Sequence, residues 1–193
     1  MKKFAIVTDT ACDLDVNFQE KFGFNVVPMH YVIDGKDYSA RLDWKPFSPK
    51  EFYDIIRNGT RITTAQVSSI DYKETFKSLI EQGFDVLYLA CSSALSASVK
   101  SSYLVRDELI KEYPDAKIIC VDTLRACHAL GILVLTACEL KEEGKSIEEV
   151  ASWIEENKLT SNMEGSVDKL TYLRQAGRVG AASAFFGGLL NIK

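Results

Sequence analysis

The stretch Phe84-Asp-Val-Leu-Tyr-Leu-Ala-Cys-Ser-Ser-Ala-Leu-Ser-Ala-Ser98 decides the fold. An apolar run of strand length empties into a cluster of small hydroxyl residues, and a helical pattern follows from about Leu95 to Tyr113. A strand that is apolar at nearly every position has no face left for water, so it reads as a buried strand of a parallel sheet covered on both sides. The turn behind it aims backbone N–H groups and hydroxyls at one point, which suits an anion such as a phosphate or a carboxylate. One or two of Ser92, Ser93, Ser96 and Ser98 are accounted for as helix caps. Four in so short a turn exceed what capping requires, and local chemistry leaves the identity of the anion open.

The pattern repeats outward from this point. Phe4–Val7 is a short apolar strand followed by the polar turn Thr8–Asp13. Phe24–Val27 and His30–Ile33 read as further strands, the second closed by the turn Asp34-Gly35. Helices are predicted over Pro46–Arg57, with Ser48 and Glu51 at capping-box spacing, and over Ser69–Gln82, with Gly83 as the stop. Lys117–Val121 is another buried strand. Helices follow from about Leu124 to Glu143 and over Ser146–Lys158, where Ser146 and Glu149 repeat the box. Strands alternating with helices predict an α/β fold: a parallel-sheet N-terminal domain over residues 1–158 with helices on both faces. From Leu159 the pattern changes. A strand is expected at Asn162–Val167, a short helix over Asp168–Gln175, an apolar helix over Ala181–Leu190 and the start of a strand at the last residues. Residues 159–193 thus read as the beginning of a second α/β domain that this sequence does not complete.

Composition excludes several classes. With 23 basic against 27 acidic residues and a net charge of −4, the chain lacks the basic surface that neutralises nucleic-acid phosphates. No apolar run approaches the length of a membrane span, and the first residues lack the apolar core of a secretory signal. The five cysteines form no C-x-x-C pair and read as reduced, buried thiols of a cytoplasmic protein, with no metal site. Neither G-x-G-x-x-G nor the P-loop pattern occurs, so no nucleotide cofactor is expected.

Other candidates lie on loops. Thr60–Ser68 is a second hydroxyl-rich connection before a helix, and includes Thr64 and Gln66. Asp9 and Thr10 follow the first strand, at the carboxyl end of the sheet where ligand clefts of parallel sheets form. For Asp9 a turn cap takes precedence over a ligand contact. His128 sits in a helical pattern beside apolar neighbours and reads as a packed histidine rather than a general base. Arg178, between glycines in Gln175–Gly180, is placed to pair with an anion.

Together these pieces resemble the DegV family of bacterial fatty-acid-binding proteins. Thr8-Asp-Thr-Ala-Cys-Asp-Leu14 is similar to the family turn T-D-S-x-x-D-L, Thr64-Ala-Gln-Val-Ser68 to T-S-Q-P-S, and Ser92-Ser-Ala-Leu-Ser-Ala-Ser98 to S-S-x-L-S-G-T. Leu170-Thr-Tyr-Leu-Arg-Gln-Ala-Gly-Arg178 is similar to L-x-x-L-x-x-G-G-R. The resemblance implies a carrier, not an enzyme, that holds one long-chain fatty acid as its ligand and needs no cofactor. It implies that Thr64 and Ser96 take the carboxylate, with Ala97 and Ser93 close by, and that Asp9, Thr10 and Gln66 border the cleft. Arg178 would lie near the head group, where a separate fatty acid kinase subunit transfers a phosphoryl group, and contact with a membrane would be transient. The lipid would be covered by the second domain. The chain departs from the family pattern at Ala97, Val67 and Ala65, which stand for Gly, Pro and Ser. A histidine that the family carries further along has no counterpart here.

Overall fold

A computed structural model describes residues 2–167 and 170–180. The chain divides into two compact units, Met1–Asn162 and Met163–Lys193. In chain order the first contains β1 (Phe4–Asp9), a 3-10 turn (Thr10–Cys12), α1 (Val16–Phe22), β2 (Asn25–Val27), β3 (His30–Ile33) and β4 (Lys36–Ser39). It continues with α2 (Pro49–Arg57), β5 (Ile62–Ala65), α3 (Ser69–Glu81), β6 (Asp85–Ala90), α4 (Ser98–Glu112), β7 (Ile118–Asp122), α5 (Cys127–Glu142) and α6 (Ile147–Asn157). In the second unit the described helix is α7 (Leu170–Gln175).

The main sheet is parallel, in the order β2-β1-β6-β7. Successive strand residues point to opposite faces, so the apolar runs of β1 and β6 feed two cores at once. Phe4, Ile6, Leu87 and Leu89 pack against α5 and α6 through Leu130, Val134, Val150 and Ile154. Ala5, Val7, Val86, Tyr88 and Ala90 pack on the other face against Tyr72 and Phe76 of α3 and Val99, Val105 and Leu109 of α4. The expected helix-covered parallel sheet is present. Its close fit is clearest at Gly131 of α5, where a Cβ would lie 2.8 Å from the backbone carbonyl of Cys12.

The capping signals act as expected. Ser48 with Glu51 and Ser146 with Glu149 form complete boxes, and Ser68 caps α3 by accepting from the Asp71 N–H.

Four expectations are corrected. The Thr60–Ser68 loop contains β5, which joins β3 and β4 in a second, antiparallel sheet of order β4-β3-β5. The left-handed pair Asp34 (φ 50°) and Gly35 (φ 79°) makes a two-residue hairpin here. Lys36–Ser39 is too polar to announce itself as a strand. The helix expected from Leu95 begins at Ser98, because Leu95 and Ser96 both donate backward to the Ser92 carbonyl in a separate turn. The helix expected from Leu124 begins at Cys127. Asp122 and Thr123 side chains accept from the N–H groups of Leu124 and Arg125, and so hold that stretch out of the helix. Finally, no strand forms at residues 162–167. The expectations for residues 181–193 lie outside the described residues.

Candidate functional site

β1 and β6 are adjacent, with β2 on one side and β7 on the other, so the chain order reverses between them. Ligand crevices of open parallel sheets form outside the strand carboxyl ends at such a switch point. Here that point is organised by Asp9, the last residue of β1. It is fully buried, and its Oδ2 accepts from the Tyr88 hydroxyl (2.8 Å) and the Cys91 N–H (2.8 Å). Its Oδ1 accepts from the Ala11 N–H and caps the 3-10 turn. Burial pushes its carboxyl above the ordinary range, against the pull of these three donors.

The hydroxyl-rich turns meet on the same side. Tyr88 touches the Tyr72 hydroxyl (2.7 Å), and Tyr72 donates to the Ser98 carbonyl (3.1 Å) at the start of α4. Burial raises both phenols well beyond their ordinary range. The buried Ser98 hydroxyl accepts from the Val67 N–H (3.2 Å) and contacts the Ser96 hydroxyl (2.9 Å). One hydrogen-bonded path therefore runs from the first turn, through α3, to the β5–α3 loop and the serine turn. Ser93 is exposed, and its N–H donates to Asp122 at the end of β7. Ala97 is the residue before α4 and makes no side-chain cap.

A cavity of about 560 Å³ opens beside these turns. That size lies within the range of about 300–1,000 Å³ typical of small-molecule sites. Five aromatic residues line it: Tyr31 of β3, Trp44 and Phe47 of the connection after β4, and Phe52 and Tyr53 of α2. Polar groups reach it from Thr10, Thr64, Arg41, His30 and His128.

His30 is held on both ring nitrogens. Nδ1 lies 2.8 Å from Asp37 of β4 and Nε2 lies 2.9 Å from Asp71 of α3. Carboxylates only accept, so both contacts are hydrogen bonds when the ring is an imidazolium. Burial works to lower its pKa, but the bonds to Asp71 and Asp37 outweigh it and the net shift is upward.

Of the residues named from sequence, Thr64 and Thr10 line the cavity; Ser93, Ser96, Ala97, Asp9 and Gln66 do not. Ser96 is tied to the segment carrying Thr64 through Ser98 and Val67. Thr10 accepts from the Met29 N–H. Arg178 belongs to the second unit, where its N–H donates to the Leu173 carbonyl and its guanidinium to that of Ala176. Two readings are corrected. His128 is exposed in the first turn of α5 and lines the cavity rather than packing in the core. Cys127 is exposed, although Cys12, Cys91 and Cys138 are buried thiols. Sequence reasoning passed over the aromatic wall. Its signal was the recurrence of Trp44, Phe47, Phe52 and Tyr53 in a short polar stretch.

Fold and site together define an α/β protein in which the first turn at the strand carboxyl ends borders an apolar cavity. Among the described residues no helix is long and apolar enough to cross a membrane. The profile of the DegV family of uncharacterised proteins matches residues 3–193, and the chain belongs to that family. A DegV domain-containing protein of Clostridium perfringens is 42% identical over the whole chain, which spans 66% of that relative's length. A DegV family protein from Thermus thermophilus, described for its fatty acid binding, superposes with a TM-score of 0.81 at 34% identity, over 99% of this chain and 65% of its own. A stearic-acid-binding protein from Eubacterium ventriosum superposes with a TM-score of 0.80 at 26% identity, over 96% and 63%.

Proposed function

We propose that this chain is a cytoplasmic carrier for one long-chain fatty acid, presented for phosphorylation to a separate kinase subunit. The observation that carries the reading is Thr64. It is the member of the expected carboxylate set that lines the aromatic cavity, and its loop is hydrogen-bonded to the serine turn through Val67 and Ser98. An acyl tail of roughly C14–C18 buries about fifteen methylenes at ~0.8 kcal/mol each, a gross gain near ~12 kcal/mol before the costs of association. The tail therefore dominates affinity. The head-group residues Thr64, Ser96, Ala97 and Ser93 need only orient a carboxylate, for which hydroxyls and the α4 N-terminus suffice. Arg178 is assigned to the phosphoryl-transfer neighbourhood by its family motif, and the partner subunit performs the chemistry. The fatty acid is exchanged in transient contact with a membrane.

Organic extraction of the purified protein followed by mass spectrometry should yield a fatty acid of this class. Ser96→Ala should impair acyl phosphorylation by the kinase subunit far more than lipid retention. Folded protein that retains no lipid and binds no added acyl chain would refute the carrier. Stabilisation by inorganic phosphate but not by fatty acid would replace it with a binder of phosphorylated metabolites.

A further inference from the structure

One histidine side chain ties the second sheet to α3. Tyr31, Tyr38 and Thr64 stand opposite one another across β3, β4 and β5 and so share a face, from which Tyr31 and Thr64 line the cavity. His30 and Asp37 belong to the other face. There the His30 side chain, 16% exposed, lies between Asp37 of β4 and Asp71 in the first turn of α3. Among the described residues no other side chain of the three strands hydrogen-bonds outside the sheet. Asp71 also accepts from the Ser68 hydroxyl that caps α3, and the neighbouring Val67 N–H donates to Ser98 in the serine turn. The ring therefore sits between the sheet that carries Thr64 and the segment that leads to Ser96.

These contacts depend on charge. An imidazolium donates from both nitrogens, whereas a neutral ring donates from one. When the proton leaves, one carboxylate faces a lone pair it cannot bond. Either β4 is then released, with Tyr38 stacked on Tyr31 at 5.4 Å, or α3 is. From β5 the residue opposite is the uncharged Ala65. Asp13, Asp15, Arg41, Lys45 and His128 line the cavity that His30 borders, but none is hydrogen-bonded to the ring. Burial works against the charged ring, and Asp71 and Asp37 outweigh it. We propose that His30 is a positioning residue of the acyl site: as an imidazolium it latches the sheet carrying Thr64 to the α3 cap, and on losing its proton it loosens the hold on the fatty acid. The inference rests on the fatty-acid reading and gives that site a pH response.

The test is release of bound palmitic acid from the full chain into excess albumin at about pH 5.5 and about pH 8.5, on either side of a histidine titration. Wild type should release it about fivefold faster at the higher pH, the worth of one partly exposed charge-assisted hydrogen bond. His30→Gln should release it equally at both. Asp71→Asn should also be flat although the ring remains, because an amide offers its oxygen to the imidazolium and its NH2 to the neutral ring. The chain has two histidines, and His128→Gln should keep the difference. Ionisation of the fatty acid itself is common to all four proteins and drops out of the comparison. Equal release by wild type, a difference that persists in His30→Gln or Asp71→Asn, or one that vanishes in His128→Gln would each overturn the proposal. The latch is also read without lipid. Relative to intrinsic exchange, amide protection across β3–β5 in the ligand-free chain should fall about fivefold between the same pH values in wild type and not in Asp71→Asn. That pattern in a chain that holds no palmitic acid removes the carrier and keeps the latch. Bound palmitic acid released equally at both pH values keeps the carrier and removes the latch.

Discussion

Replacing Asp9 tests whether the switch point is held together by one side chain. Its carboxylate receives the Cys91 N–H, the Tyr88 hydroxyl and the Ala11 N–H. In Asp9→Asn the amide has one acceptor oxygen, so either orientation sets an NH2 against the Cys91 or the Ala11 N–H. In Asp9→Ala both backbone donors lose their acceptor, while Tyr88 keeps Tyr72 as a partner. Leaving a buried donor unmade costs about 1–3 kcal/mol, and loss of a capping side chain about 1 kcal/mol. Both variants escape the cost of burying a carboxylate, so that gain cancels between them. The alanine variant should therefore be less stable than the asparagine variant by about 2 kcal/mol. For a chain of this size that is roughly 4–8 °C in melting temperature. Thermal unfolding followed by circular dichroism at neutral pH provides the comparison. Equal melting temperatures would refute the reasoning, because Cys91 and Ala11 would then not depend on this side chain.

Three further outcomes are expected. Gly131→Ala sets a methyl group against the Cys12 carbonyl and the Leu14 side chain, and should cost about 1–3 kcal/mol in urea unfolding despite the better helix propensity of alanine. The pKa of His30 is raised in the fold, so its contribution is fully present below the unfolded value of about 6.5 and is lost as pH rises through the folded value. Wild type should thus exceed His30→Gln in stability most clearly near about pH 5–6, with the gap closing on the alkaline side in paired melting curves. Ser98→Ala leaves the buried Val67 N–H without its acceptor and should lower stability by about 1–3 kcal/mol. Hydrogen exchange at Val67 should accelerate in that variant.

The parallel sheet was legible because β1, β6 and β7 are apolar enough to need cover on both faces. Two of the helices announced themselves through Ser48 and Ser146, whose capping chemistry is local. The second sheet was not legible. Lys36–Ser39 and Ile62–Ala65 are short and polar, and they become strands only by pairing with β3 on either side. The helix starts at Ser98 and Cys127 were misjudged for a related reason. Side chains at Ser96, Asp122 and Thr123 capture backbone N–H groups that a periodicity argument assigns to helix. Within the site, Thr64 was visible as a hydroxyl on a loop before a helix. Of the aromatic wall, Trp44, Phe47, Phe52 and Tyr53 recur within a short stretch, whereas Tyr31 joins them only in the tertiary fold, edge-on to Phe52.

The path from Asp9 through Tyr88 and Tyr72 to the Ser98 carbonyl also sets a proton inventory. It has three oxygen–oxygen contacts, at 2.8, 2.7 and 3.1 Å, and two phenolic hydrogens to fill them. With Asp9 ionised, one of these contacts has no hydrogen in it. A proton on Asp9 would reverse the Tyr88 contact and fill all three, with every hydroxyl oriented from the end of β1 toward the start of α4. Burial pushes the Asp9 carboxyl upward, toward that state, against the Cys91, Tyr88 and Ala11 donors that hold the carboxylate. The floor of the switch point can then be electrically neutral, which leaves the hydroxyls and N–H groups above it free to favour an anion.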